Sequence, residues 1–145
     1  MRISLASDSL DGVAPILVSE IEARGHTVTA YGAVADDRAD WAWCCSRAAL
    51  DVVSGVADQA VVCCWTGTGA SIAANKVRGV RAALCVDATT AEGARRWNDA
   101  NVLALSLRLT SAPLLGEILD AWFAGSVSPE ETDVANIAYL SEIEN

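Results

Sequence analysis

Ala60-Val61-Val62-Cys63-Cys64-Trp65-Thr66-Gly67-Thr68-Gly69-Ala70-Ser71-Ile72-Ala73-Ala74-Asn75-Lys76 passes from an unbroken apolar run, through a loop with two glycines, into an alanine-rich segment. The apolar run is too short for a helix and has no polar face, so Ala60–Cys64 predicts a central parallel strand covered on both sides. The segment from about Ala70 to Lys76 predicts a helix starting directly behind the loop. Upstream, Arg2–Ala6 and Thr27–Tyr31 read as strands. Between them Val13, Ile16, Leu17 and Ile21 recur at helical spacing from Asp11 to Arg24, and Gly25 supplies the stop. A charged loop over 36–40 leads to a helix from about Trp43 to Val53. Downstream the order is strand Val80–Cys85, helix Thr89–Arg96, strand Asn101–Leu105, helix Pro113–Phe123 and a last helix after Pro129.

Strands alternating with helices through short connections predict a single α/β domain over residues 1–145. The expected architecture is a Rossmann-like, doubly wound, five-stranded parallel sheet with helices on both faces and a C-terminal helix. Ligands of such sheets collect beyond the carboxyl ends of the strands, where Asp8, the loop 65–71 and the residues near 85–88 should converge.

The 145 residues carry 10 Lys and Arg against 19 Asp and Glu, a formal net charge of −9, and 52% of them are hydrophobic. That composition fits one packed core and excludes a disordered chain. A pI near 4.4 repels phosphate backbones and anionic lipid, so neither nucleic acid nor a membrane surface is an expected partner. No apolar run reaches membrane-spanning length, and the residues between Arg2 and Asp8 are too few for a secretory leader; the expectation is a cytoplasmic protein. Cysteines stand at 44, 45, 63, 64 and 85. Their odd number and lack of CxxC spacing argue against a disulfide framework or a zinc site and for free thiols in a reducing compartment. The ordinary role of such residues is as small apolar core groups. Strand alternation turns Cys63 into the core, away from Cys64.

Gly67 and Gly69 let backbone N–H groups turn toward one point, and the helix start adds partial positive charge. The loop therefore has the form of a cradle for a phosphate or a developing oxyanion, the alternative being a purely structural turn. No Gly-Lys-Ser/Thr follows at Walker A spacing, and Ile72 occupies the last position of the dinucleotide pattern.

Residues 63–85, continuing through Val77-Arg78-Gly79-Val80-Arg81-Ala82-Ala83-Leu84-Cys85, resemble the signature of the type B ribose-5-phosphate isomerase and galactose-6-phosphate isomerase family. Trp97-Asn98-Asp99-Ala100-Asn101-Val102-Leu103-Ala104-Leu105 resembles a second block of the same family, and the likeness extends over nearly the whole chain. The resemblance implies aldose–ketose interconversion through an enediolate, with no metal or organic cofactor. It puts Cys64 at the base position, Thr66 at the neighbouring hydroxyl, and Gly67, Thr68, Gly69, Ala70 and Ser71 on the loop whose amides face the anion. Asp8 matches the acidic contact to substrate hydroxyls, Arg108 an anion contact after the fifth strand, and Asn98 a carbonyl-side contact. The resemblance further implies a homodimer or tetramer whose sites lie at the subunit interface, with Asn98 coming from the other subunit. An ordinary thiol is only about 3% ionised at pH 7, so a cysteine base needs the help that loop amides and a helix start can give.

Several residues depart from the family pattern. Ser9 stands where the first loop carries His, and Trp97 where the ring-opening residue is His. Trp65 stands in place of Gly, and Trp41 lies near a usual Tyr. The one histidine, His26, reads as a surface residue. The family's C-terminal arginines are missing, since residues 109–145 contain no Lys or Arg while Glu117, Asp120, Glu130, Glu131, Asp133, Glu142 and Glu144 are acidic. Arg38, Arg95 and Arg96 are candidate replacements. Three readings follow: an aldose–ketose isomerase with Cys64 as base and a small sugar or sugar phosphate as substrate; a repurposed site acting on an unphosphorylated or more apolar carbonyl compound; and a non-catalytic small-molecule binding or interaction protein.

Overall fold

A computed structural model describes residues 1–145. In chain order it forms β1 (Arg2–Ser7), α1 (Leu17–Glu22), β2 (Thr27–Gly32), α2 (Trp41–Val53), β3 (Gln59–Cys64), α3 (Thr68–Asn75), β4 (Ala82–Leu84), α4 (Ala88–Asn98), β5 (Val102–Ser106), α5 (Ala112–Ala124) and α6 (Glu131–Ile143). The five strands are all parallel, in the order β2-β1-β3-β5-β4. This is the Rossmann-like α/β sheet that the alternation of elements predicts, with its switch point between β1 and β3.

The two faces of the sheet are packed differently. One carries large side chains: Ile3, Leu5, Leu103 and Leu105 from the strands meet Leu17 and Ile21 of α1 and Leu115, Ile118, Leu119 and Trp122 of α5. Trp122 is fully buried, and its indole N–H donates to Gln59 Oε1 at 2.8 Å. The buried cluster on the opposite face, where α2 and α3 pack, consists only of Ala, Cys and Val. Small side chains bring those helices close to the strands, and Cys44 and Cys45 are part of that packing. Strand alternation puts Cys63 in the first layer and Cys64 in the second. Between α2 and the sheet, Ser4 Oγ and Tyr31 Oη both donate to Asp51 Oδ2, at 2.6 and 2.8 Å, so the buried carboxylate is satisfied.

Several boundaries differ from the sequence expectation. Between Asp11 and Arg24 the chain makes a 3₁₀ turn, Ala14–Ile16, before the short α1, because Gly12 is left-handed at φ 56° and Pro15 lacks an N–H. The strand expected over 80–85 shrinks to Ala82–Leu84, since the Arg81 N–H is taken by Asn101 Oδ1 at 2.8 Å. Helix α3 begins at Thr68 rather than near Ala70, and α4 runs on through Trp97 and Asn98. Helix α6 forms after Pro129 as expected but buries none of its residues. No helix is long and apolar enough to cross a membrane.

Candidate active site

Strand register assembles the site. Ser7 of β1 lies beside Cys63 of β3, so Asp8, the next residue, emerges level with Cys64. On the other side Cys64 pairs with Ser106 of β5. Beyond that pair the Leu107 and Arg108 amides donate to the Cys64 and Trp65 carbonyls, each at 3.0 Å, and Ser106 Oγ donates to the Trp65 carbonyl at 3.1 Å. The loop leaving β3 is thus tied to the end of β5. Ser106 is the anchor that sequence reading missed; its only signal was a hydroxyl ending an apolar strand.

Gly67 caps α3 at φ 77°. A Cβ there would stand 2.5 Å from Leu84 Cδ1 and 2.9 Å from the Leu105 carbonyl carbon. Only glycine fits both the left-handed backbone and the close approach. Gly67→Ala is therefore expected to cost about 1–3 kcal/mol, as overpacking does, measured as a lower urea midpoint at unchanged slope.

The turn made by Gly67 aims the start of α3 back at the strand it follows. The Ala70 N–H donates to Cys64 Sγ at 3.4 Å. Cys64 is 5% exposed and lines a cavity of about 330 Å³ with Asp8, Trp41, Trp65, Thr66, Thr68 and Gly69. The Thr66 and Thr68 hydroxyls are hydrogen-bonded to each other at 2.8 Å. Trp41, at the start of α2, lies against Gly69, where a Cβ would come within 3.1 Å of the indole ring. Among the other cysteines, a hydrogen bond with Cys45 lowers the pKa of Cys44 while the remaining three are raised. Burial pushes the Cys63 thiol up, burial and Asp87 push Cys85 up to about 12, and the Cys44 sulfur and burial push Cys45 up.

Asp8 is the charged group of the cavity. Its Oδ1 is buried without a hydrogen-bond partner, and burial raises its pKa from the ordinary carboxylate value. The native fold therefore holds the Asp8 proton more tightly than the unfolded chain. Its contribution to stability falls as pH rises from the ordinary carboxylate pKa through the raised one. Asp8→Asn is expected to melt higher than the parent at neutral pH, with the gain disappearing by about pH 3, below the ordinary carboxylate pKa. Thermal melts across that pH range check it.

Other expected site residues fall outside this cavity. Ser9 shapes the turn after β1: its carbonyl accepts from Ser7 Oγ at 2.8 Å and its Oγ accepts from the Asp11 N–H at 3.3 Å. Arg108 is exposed and touches the loop through its backbone. Trp97 and Asn98 lie at the end of α4 around a separate cleft with Ala83, Thr89, Thr90, Gly93 and Ala94. The Trp97 indole covers Gly93 and stays half-exposed. Within one chain these two residues do not reach Cys64's cavity. Arg38 makes two bonds to Asp40, at 2.6 and 2.9 Å, and lies over Trp43. Arg95 pairs with Asp99 at 3.2 Å and stacks over Trp122. Arg96 borders the segment 125–129. His26 packs on Phe123 and meets the amino terminus at 3.1 Å, at the opposite end of the sheet from the cavity. No three His, Cys, Asp or Glu side chains are grouped to hold a metal ion.

Comparison with known proteins gives this geometry a family. The model of the Ribose/Galactose Isomerase family matches residues 3–139. The chain is 39% identical over 106 residues to ribose-5-phosphate isomerase B of Escherichia coli, covering 73% of this chain and 71% of that one. It is 36% identical over 144 residues to the galactose-6-phosphate isomerase subunit LacB of Clostridium acetobutylicum, covering 99% and 83%. Among solved structures, ribose-5-phosphate isomerase B of Clostridium thermocellum superimposes with a TM-score of 0.89 at 33% identity, covering 99% of this chain and 97% of that one. With the family pattern spanning the whole sheet and the loop around Cys64, the chain belongs to the ribose/galactose isomerase family of enzymes.

Proposed function

We propose that this protein interconverts a small aldose and its ketose by proton transfer through an enediolate, with Cys64 as the base. One observation carries the reading: Cys64 lines the cavity at the strand ends, and its sulfur accepts a main-chain amide at the start of a helix. An amide donor and a helix N-terminus both favour a sulfur that bears negative charge. Cys64 Sγ removes the proton from the carbon next to the carbonyl, and the C–H electrons become the C=C bond of the enediolate. The carbonyl oxygen takes the negative charge and is met by amides of the Gly67–Ser71 turn, which are fixed before the reaction starts. The Thr66 hydroxyl, bonded to Thr68, moves a proton between the two oxygens. The thiol, whose proton exchanges with water while the enediolate is held, then protonates the neighbouring carbon, and atoms and charge balance.

Asp8 supports this chemistry from the other side, because its unpartnered buried oxygen accepts from a substrate hydroxyl. Trp97 and Asn98 take part when a second copy presents its α4 to the cavity. Support for such a dimer comes from α6, which buries nothing and leaves Val134, Tyr139 and Ile143 exposed on an otherwise well-packed domain. The names of the relatives, ribose-5-phosphate isomerase B and galactose-6-phosphate isomerase, support the reaction class. The test is proton NMR of a panel of aldoses and ketoses incubated with the protein. One aldose–ketose pair approaching equilibrium is the expected result; saturable binding without interconversion of any member would overturn the assignment.

A further inference from the structure

We infer that the substrate of this site is a four-carbon sugar phosphate, too short to close a ring, and that the Trp65 indole sets that length; the inference rests on the isomerase reading above. The cavity of about 330 Å³ lies near the lower end of the range for small-molecule sites, about 300–1,000 Å³. Two of its walls are indoles, Trp41 and Trp65. The Trp41 ring is backed by Gly69 at the start of α3. The Trp65 carbonyl accepts from both the Arg108 N–H and Ser106 Oγ, so the backbone under its indole is fixed to the end of β5. Trp65 is 54% exposed, so its ring serves as a wall of the cavity and takes no part in the core. The α4 of a second copy would add a third indole, the half-exposed Trp97, and narrow the space further.

The cavity offers little for opening a sugar ring. That step takes a proton from one oxygen and gives one to another, and it calls for a group that titrates near neutral pH, histidine above all. None of the seven lining residues is His, Lys or Arg, and the two acidic side chains among them, Cys64 and Asp8, already serve as base and as acceptor from a substrate hydroxyl. The one histidine, His26, is taken up by Phe123 and the amino terminus. The α4 of a second copy ends in Trp97 and Asn98, which do not titrate. A four-carbon sugar esterified on its terminal oxygen needs no ring opening. The oxygen that would close a five-membered ring carries the phosphate, and its other hydroxyls lie too near the carbonyl to reach it.

The phosphate end meets positive charge outside the indoles. Arg108 is exposed, forms no ion pair, and is tied through its N–H to the Trp65 carbonyl at 3.0 Å. Arg96, likewise exposed and without a carboxylate partner, travels with Trp97 and Asn98 on the α4 that a second copy presents. Neither arginine lines the cavity, so the ester lies past the tryptophans and the carbon chain between them. Cys64 and Trp65 are consecutive, with Cα atoms ~3.8 Å apart. The base at the reacting carbon and the indole therefore stand close together. A four-carbon chain spans that interval with its carbonyl at the sulfur and its ester beyond the ring, and each further carbon has to be accommodated against Trp65.

The test compares erythrulose 4-phosphate with ribulose 5-phosphate on the full-length protein, with proton NMR following conversion of each ketose to its aldose. The expected kcat/KM is higher for the four-carbon ester by ~10-fold or more, the scale on which a close-fitting pocket discriminates one carbon. Trp65→Gly should shrink that ratio by a similar factor, by opening the site to the longer ester, which a merely structural tryptophan would not do. Trp65→Leu, which keeps a side chain at the wall, should shrink it partway and serves as the second variant if glycine loosens the loop. Ribulose 5-phosphate consumed as fast as erythrulose 4-phosphate, or a ratio unmoved in a Trp65 variant that still melts cooperatively, overturns the inference while the isomerase reading stands. Turnover of neither ester overturns both.

Discussion

Cys64→Ala is expected to lower turnover by about 10²–10⁴-fold, the usual contribution of a positioned base, while the protein melts close to the parent temperature. The loss is large because the proposed mechanism places Cys64 alone at the carbon that loses its proton: Thr66 and Thr68 are poor bases, and Asp8 is assigned to the substrate hydroxyls. The fold tolerates the change because the layer around Cys64 is built from Ala, Cys and Val, so alanine at 64 repeats a side chain already used there. Cys63→Ala is the matched control. Its thiol sits on the opposite face among Leu and Ile, with burial holding it protonated, so its removal should leave turnover unchanged. Cys64→Ser distinguishes the roles of sulfur and shape, and a hydroxyl in that place should be nearly as poor as alanine because it ionises far less readily.

The largest effect on stability belongs to Trp122. Trp122→Ala should cost about 3–5 kcal/mol for the cavity left behind. A further share of about 1–3 kcal/mol falls on Gln59, whose buried Oε1 loses its 2.8 Å donor. Against a typical total of about 5–15 kcal/mol, that is enough to unfold much of the protein at ambient temperature. Trp122→Phe separates the two contributions, since it keeps most of the volume and removes only the indole N–H. Its expected cost is the smaller one, read from urea midpoints at constant slope. Arg95 gives an independent check. It stacks over Trp122 at 5.7 Å, so Arg95→Ala and Trp122→Phe should be non-additive in a double-mutant cycle.

The order of strands and helices was legible because Ala60–Cys64 admits one reading, a strand buried on both faces, and because breaks such as Ser7-Asp8-Ser9, Gly25 and Gly55 separate the periodic segments. What was not legible depended on contacts distant in sequence. The shortening of β4 comes from an Asn101 side chain 20 residues away taking the Arg81 amide. The start of α3 at Thr68 follows from Gly67 pressing on Leu105, which periodicity cannot reveal. The same holds at the site. Asp8, Trp65, Thr66, Thr68 and Gly69 could be placed together from the rule that ligands sit beyond strand ends, and Cys64 and Trp41 from resemblance, whereas the residues near 85–88, expected by the same rule, do not line the cavity. Ser106 could not, because a serine closing a strand has no signature. Arg38 and Arg95 read as free cations in the sequence, but their partners Asp40 and Asp99 lie close by on the same local structure and occupy them. Trp97 and Asn98 belong to α4 and line a separate cleft of one chain, so their place at the thiol rests on the dimer proposed above.

The most direct test of a cysteine base acting through an enediolate is the fate of one hydrogen. The interconverting sugar is incubated in D₂O with parent protein and with Cys64→Ala, and proton NMR follows the carbon next to the carbonyl. The account predicts that the parent introduces deuterium at that carbon and that Cys64→Ala does not. Isomerisation by the parent with the original hydrogen carried over intact in every turnover, or deuterium entering at the parent rate without the Cys64 sulfur, would contradict it.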